Sequence, residues 1–245
     1  MTQLPMFYKN VEALSTVNHK RFQISAAAEP FAFAREAQVI PAVFDEFTAA
    51  AHDLPIVFVP TGTGFTPVFL CGLKSGENVF VDAEGKWTPG YMPAYLRRYP
   101  FILGEQEGAD PIVCVDSGYA GFAESDSGTP LFDEAGEKTE FMDRVVRLVT
   151  EYAASAKRTE GALEVLKDLD LFSQISIEAR DASGEVSASL HGFAVVDEEK
   201  LRALPDADYL KLREAGVLPA IYAHLLSVSL ANKLARATAD KTKAA

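Results

Sequence analysis

The stretch ISIEARDASGEVSASLHGFAVV, residues 175–196, follows a long helix-patterned region and yet is patterned as strands. Ile175, Ile177 and Ala179 alternate with polar residues, the period of a half-buried strand. Asp181-Ala182-Ser183-Gly184 supplies turn chemistry, and Leu190 to Val196 returns as the partner strand. With a hairpin in the C-terminal half and strands in the N-terminal half, the fold class is predicted to be α+β. The expected architecture is a single mixed domain, with a strand-rich N-terminal half and a C-terminal half of helices plus this hairpin.

Working outward from the hairpin, Leu201 to Glu214 and Leu218 to Leu234 read as closing helices. The second is apolar around most of its circumference, which predicts burial or a homo-oligomer contact through the C-terminal helix. Upstream, Phe141, Val145, Val146, Leu148 and Val149, then Leu163, Leu166 and Leu169, predict two amphipathic helices from Thr139 onward. In the N-terminal half, Val39, Val43, Phe44 and Phe47 predict a helix within Phe31–Asp53 that feeds a strand at Ile56–Val59. Further strand-like runs lie at Pro67–Leu73, Asn78–Val81 and Pro111–Val115. No Pro-rich linker divides the chain, so residues 1–236 read as one domain and ATADKTKAA, 237–245, as a frayed tail.

The 245 residues are 48% hydrophobic and 24% charged, enough apolar material for a substantial core. A net charge of -12 opposes a phosphate backbone, so nucleic acid is not an expected partner. No apolar stretch approaches the roughly 20 residues that span a bilayer, and no membrane span is expected. MTQLPMFYKN carries no basic segment leading into an apolar run, so a cytoplasmic location is expected. Cys71 and Cys114 each sit in an apolar run and read as buried, reduced thiols.

Tests for catalytic signatures end without a match. Gly62-Thr63-Gly64 lacks the third glycine of a dinucleotide loop and precedes a strand-like run, so it reads as a tight turn. There is neither the Gly-Lys-Ser/Thr run of a P-loop nor a Gly-x-Ser-x-Gly elbow. VDAEGK, FDEAGE and RDASGE place Asp three residues before Gly at 82/85, 133/136 and 181/184, which suits turns and is too sparse in ligands for calcium. The four histidines are scattered and none begins a metal signature, so neither metal nor cofactor is expected. His224 reads as a hydrogen-bonded core residue, whereas His19, beside Lys20-Arg21, reads as the most available histidine.

WTPGYMPAYLRRYPF, residues 87–101, is the densest chemistry in the chain. Pro93 suits the first turn of a short helix, and Pro100 ends it. On that helix Tyr91 and Tyr95 share a face, and Arg98, three beyond Tyr95, adjoins a ring. The stretch is either a stiff connector or a recognition element for an anion or a planar ligand, using Trp87, Tyr91, Tyr95, Arg97 and Arg98, with His19 as an outlying candidate. The adjacent arginines are expected to divide, one bound inside to a carboxylate and the other solvated, with Arg98 the binding candidate and Arg97 the structural one.

The order of NVFVDAEGKWTPGYMPAYLRRYPF, PLFDEAGEKTEF and LHGFAVVDEEKLRALPDADYLKLREAGVLPAIYAHLLSVSLANKL resembles the SapC family of bacterial proteins, from about Met6 to Leu234. That family is named from surface-array (S-layer) gene clusters and is distinct from the transport permease of the same name. The resemblance implies no settled activity and no catalytic residues to carry over. It does imply gene neighbourhoods with TonB-dependent receptors and with tryptophan-halogenase-like or cupin-like proteins. Three functional classes stay open: an accessory protein binding a small molecule or protein partner, an enzyme on a modified amino acid or peptide using His19 and a carboxylate, and a structural surface-layer component.

Overall fold

The computed structural model describes residues 4–106, 108–180, 186–231 and 234. In chain order its elements are β1 (Val11–Ala13), α1 (Thr16–His19), β2 (Phe22–Ile24), β3 (Val39–Pro41), α2 (Phe44–Ala50), β4 (Ile56–Pro60) and β5 (Phe65–Leu70). There follow α3 (Ala94–Arg97), β6 (Phe101–Gln106), β7 (Ala109–Asp116), β8 (Phe122–Glu124), β9 (Thr129–Pro130) and α4 (Glu140–Asp168). The chain closes with β10 (Phe172–Arg180), β11 (Val186–Val196), α5 (Glu198–Ala203), α6 (Asp206–Glu214) and α7 (Leu218–Val228). Strands dominate the first half and helices the second, the α+β arrangement read from the sequence.

A five-stranded antiparallel sheet in the order β10-β11-β4-β5-β3 is the centre of the fold. Its alternation sends Ile56, Phe58 and Phe69 into one cluster with α2, α6 and α7, and Val57, Val68 and Leu70 into another on the opposite face. Strands β10 and β11 pair antiparallel, as the hairpin reading expects, and the turn expected at Asp181-Ala182-Ser183-Gly184 lies outside the described residues. Ile175 pairs with Phe193 but Ile177 with Leu190, so β11 holds one extra residue. Gly192 absorbs it at φ 83, where a side chain would strain the backbone.

Two smaller sheets, β1-β7-β6 and β8-β2-β9, surround a third cluster under the start of α4. Helix α4 joins the clusters: Met142, Val145 and Val149 pack in the third, Leu163 and Leu166 in the first. At about 1.5 Å per residue its 29 residues extend some 44 Å. The two helices expected here are therefore one. Buried Ser155 and Thr159 interrupt the apolar pattern, but both bond to the start of α2. Thr159 Oγ1 accepts from Phe44 N at 2.9 Å, and Ser155 Oγ donates to Asp45 Oδ2 at 2.7 Å.

Other boundaries also shift. Within Phe31–Asp53 only α2 is α-helical, because Val39–Pro41 is an edge strand on β5 and its apolar residues follow sheet alternation. Residues 78–81 form no strand; Val81 makes a single bridge to Trp87. Leu204-Pro205 divides the expected helix of residues 201–214 into α5 and α6. The turns at Asp82 and Asp133 are alike: Gly85 and Gly136 have φ of 71 and 89, and Lys86 N and Glu137 N donate to the respective Asp Oδ1 at 2.7 and 2.9 Å. Thr61 to Gly64 closes the β4-β5 hairpin.

His224 is fully buried and ties α7 to the sheet, accepting from Val196 N at Nε2 and donating from Nδ1 to Ile56 O, both at 3.0 Å. Burial lowers its pKa to about 4, so the ring is neutral. Both cysteines are buried and free, and burial raises their thiol pKa values. On α7, Tyr222 and Leu226 remain exposed. Among the described residues no helix is long and apolar enough to cross a membrane.

Candidate functional site

Helix α3 is only one turn long, and its position is fixed from outside. Buried Glu46 of α2 accepts from Ala94 N at 2.6 Å and from the Tyr91 hydroxyl at 2.8 Å through one oxygen, and from Val43 N through the other. Tyr91 N donates to Asp53 at 2.7 Å, and Trp87 Nε1 donates to Tyr91 O at 2.8 Å. Trp87 and Tyr91 are thus half-buried braces for the approach to α3. Burial raises the Glu46 pKa, with the bonds from Ala94, Tyr91 and Val43 and the charge of Arg97 opposing the rise.

Successive helical residues point about 100° apart, so the two arginines part ways. Arg97 is exposed. Arg98 is 8% exposed, with its guanidinium carbon 4.2 Å from the ring centres of both Tyr95 and Tyr152 and 5.7 Å from that of Tyr8. The expectation that the inner arginine meets a carboxylate is overturned: the inner one is Arg98, and its neighbours are rings, whereas exposed Arg97 lies beside Glu46 and Tyr91. Tyr95 itself is held by donation to Met6 O at 3.2 Å, and Tyr8 by donation to Phe101 O at 2.6 Å.

Among the described residues no carboxylate lies within ion-pairing distance of Arg98, and its buried Nε has no hydrogen-bond acceptor. The buried carboxylates of this region are committed elsewhere. Glu46 holds α3, and Asp116 accepts from Lys9 N, Asn10 N, Gly118 N and the Tyr99 hydroxyl. Those donors hold the Asp116 pKa below the usual carboxylate value, outweighing its desolvation. Two cation-π contacts are worth about 0.5–2 kcal/mol each, against a desolvation penalty of several kcal/mol for a buried ion.

Two grooves meet at Arg97 and Leu148. One, of about 420 Å³, is lined by Arg97, Arg98 and Arg144 together with Pro100, Phe101, Tyr119, Phe141, Val145 and Leu148, among others, and by no carboxylate among the described residues. The other, of about 320 Å³, is mixed in charge and includes Asp45, Glu46, Tyr91, Arg97, Glu151, Tyr152 and Arg158. Arg158 pairs with Asp45. His19 is not with them: expected to be available, it is 3% exposed, bonded to Ser15, and set between Phe22 and Phe122. The turn of α1 directs it into the sheet, away from its basic neighbours. Among the described residues no cluster of His, Cys, Asp or Glu could hold a metal ion.

Arg144, Tyr152 and Glu46 were missed by the sequence reading. For Tyr152 a signal exists, since Val145, Val149 and Tyr152 continue one helical stripe. Glu46 owes its role to contacts across the fold with Tyr91 and Ala94, and Arg144 reaches the groove only because the fold brings α4 beside residues 97–101.

The profile of one family, SapC, matches residues 14–234. The chain belongs to the SapC family. No curated protein matches it, and neither does any solved structure. The matched span of this SapC protein takes in α3, α4 and all three arginines of the larger groove.

Proposed function

We propose that this SapC protein is an accessory binder of an anionic small ligand or partner group, held by the aromatic and arginine element around α3. The observation that carries the reading is Arg98: a guanidinium enclosed by Tyr95 and Tyr152, for which the described residues supply no carboxylate, beside a groove with two further arginines. A cytoplasmic role serving surface-layer or TonB-dependent uptake systems, and a tie to tryptophan-halogenase-like gene neighbourhoods, belong to the same proposal and rest on the family resemblance. The test is incubation of the purified protein with the small-molecule fraction of a cell extract, followed by native mass spectrometry. An anionic adduct that Arg97→Gln loses supports the reading. Identical spectra for the two proteins, with or without an adduct, contradict it.

A second reading, an enzyme, has one observation in its favour: the Glu46 carboxyl and Tyr91 hydroxyl are bonded at 2.8 Å beside Arg97, and burial raises both pKa values. The bonds from Glu46 to Ala94 and Val43 already account for its burial as a support for two helix starts, so binding is the preferred reading.

A further inference from the structure

The lining of the larger groove narrows the ligand class. It includes Arg97, Arg98 and, from α4, Arg144, and among the described residues no acidic side chain lines it. Phe141, Arg144 and Leu148 stand three and four residues apart on α4, so one helix face presents an apolar, a cationic and again an apolar side chain to the same space. Phe101, the first residue of β6, adds a ring from the other wall. The volume of about 420 Å³ lies in the range of small-molecule sites. An inorganic anion would occupy a small part of that space and leave the rings and Leu148 unused.

We infer that the ligand is an oxyanion, carboxylate or phosphate monoester, on an apolar body, with the head on Arg97, Arg98 and Arg144 and the body along Phe101, Phe141 and Leu148. This rests on the anion-binding reading above and adds the apolar body and the part of α4. Guanidinium forks match both headgroups. Arg144 is exposed on a helix surface, so its replacement leaves the fold intact.

Isothermal titration of the full chain with acetate, butanoate and octanoate, then octyl phosphate, inorganic phosphate and octylamine, tests it. Affinity is expected to rise with chain length by up to about fourfold per methylene. Octylamine is expected not to bind, and Arg144→Gln to weaken octanoate about tenfold or more. Comparing octanoate with octyl phosphate identifies the preferred head. If inorganic phosphate or acetate binds as tightly as the octyl compounds, the apolar body is overturned while anion binding stands. If octylamine binds as well as octanoate, or if none of the anions binds, both readings fall. Unchanged octanoate affinity in Arg144→Gln removes α4 from the site.

Discussion

His224 should make this protein acid-labile in a defined window. Its ring is neutral in the folded state because both nitrogens are used, one donating to Ile56 and one accepting from Val196, and burial opposes charging. In the unfolded chain the imidazole titrates near 6.5, and in the fold at about 4. A depressed folded value means that unfolding takes up a proton between the two. The contribution is complete above pH 6.5, falls as the pH drops, and is gone near 4. At about 1.4 kcal/mol per pH unit, the loss is roughly 3 kcal/mol. Glu46 works in the opposite sense, its raised value favouring the fold at low pH, and Asp45 and Asp116, with lowered values, lose stability only as the carboxylates protonate. Urea unfolding of wild type and His224→Gln at pH 7, 5.5 and 4.5 therefore isolates the histidine. The variant is expected to lose much less stability on acidification. Parallel pH profiles for the two proteins would refute the linkage.

Glu46→Ala is expected to destabilise by about 2–5 kcal/mol, because Ala94 N and the Tyr91 hydroxyl each lose a buried acceptor. Glu46→Gln retains an acceptor oxygen and should recover most of the loss in a denaturant melt. Thr159→Val, which takes away the acceptor for Phe44 N, should lower stability by about 1 kcal/mol without altering groove binding. Cys71 and Cys114 should react with a thiol reagent only after denaturation, and rapid labelling of the native protein would count against their burial.

Alternation made the sheet legible. Residues 175–196 read as a hairpin because the two faces of β10 and β11 differ, and Ile56 to Val59 because a compact apolar run follows Pro55. Helical periodicity misled at Val39, whose spacing from Val43 suits a helix although it belongs to β3. It misled again at Ser155 and Thr159, which are polar by sequence but have partners at the start of α2. The candidate site was legible as far as the pairing of Tyr95 with Arg98, a local feature of one helical turn. Which arginine turned inward depended on Tyr152 and Tyr8, 54 and 90 residues away in sequence, and no local pattern records that.

The most direct measurement of the central claim is the melting temperature of Arg98→Met with and without octanoate. Methionine keeps much of the volume and removes a charge for which the described residues supply no counter-ion, so the unliganded variant should melt at or above the wild-type temperature. Octanoate at about 100 times its dissociation constant should stabilise wild type by about 2.7 kcal/mol, roughly 5–10 °C for a chain of this size, and leave the variant unmoved. A variant that melts well below wild type without ligand, or that keeps the octanoate shift, would contradict the assignment of Arg98 as the anion-binding residue.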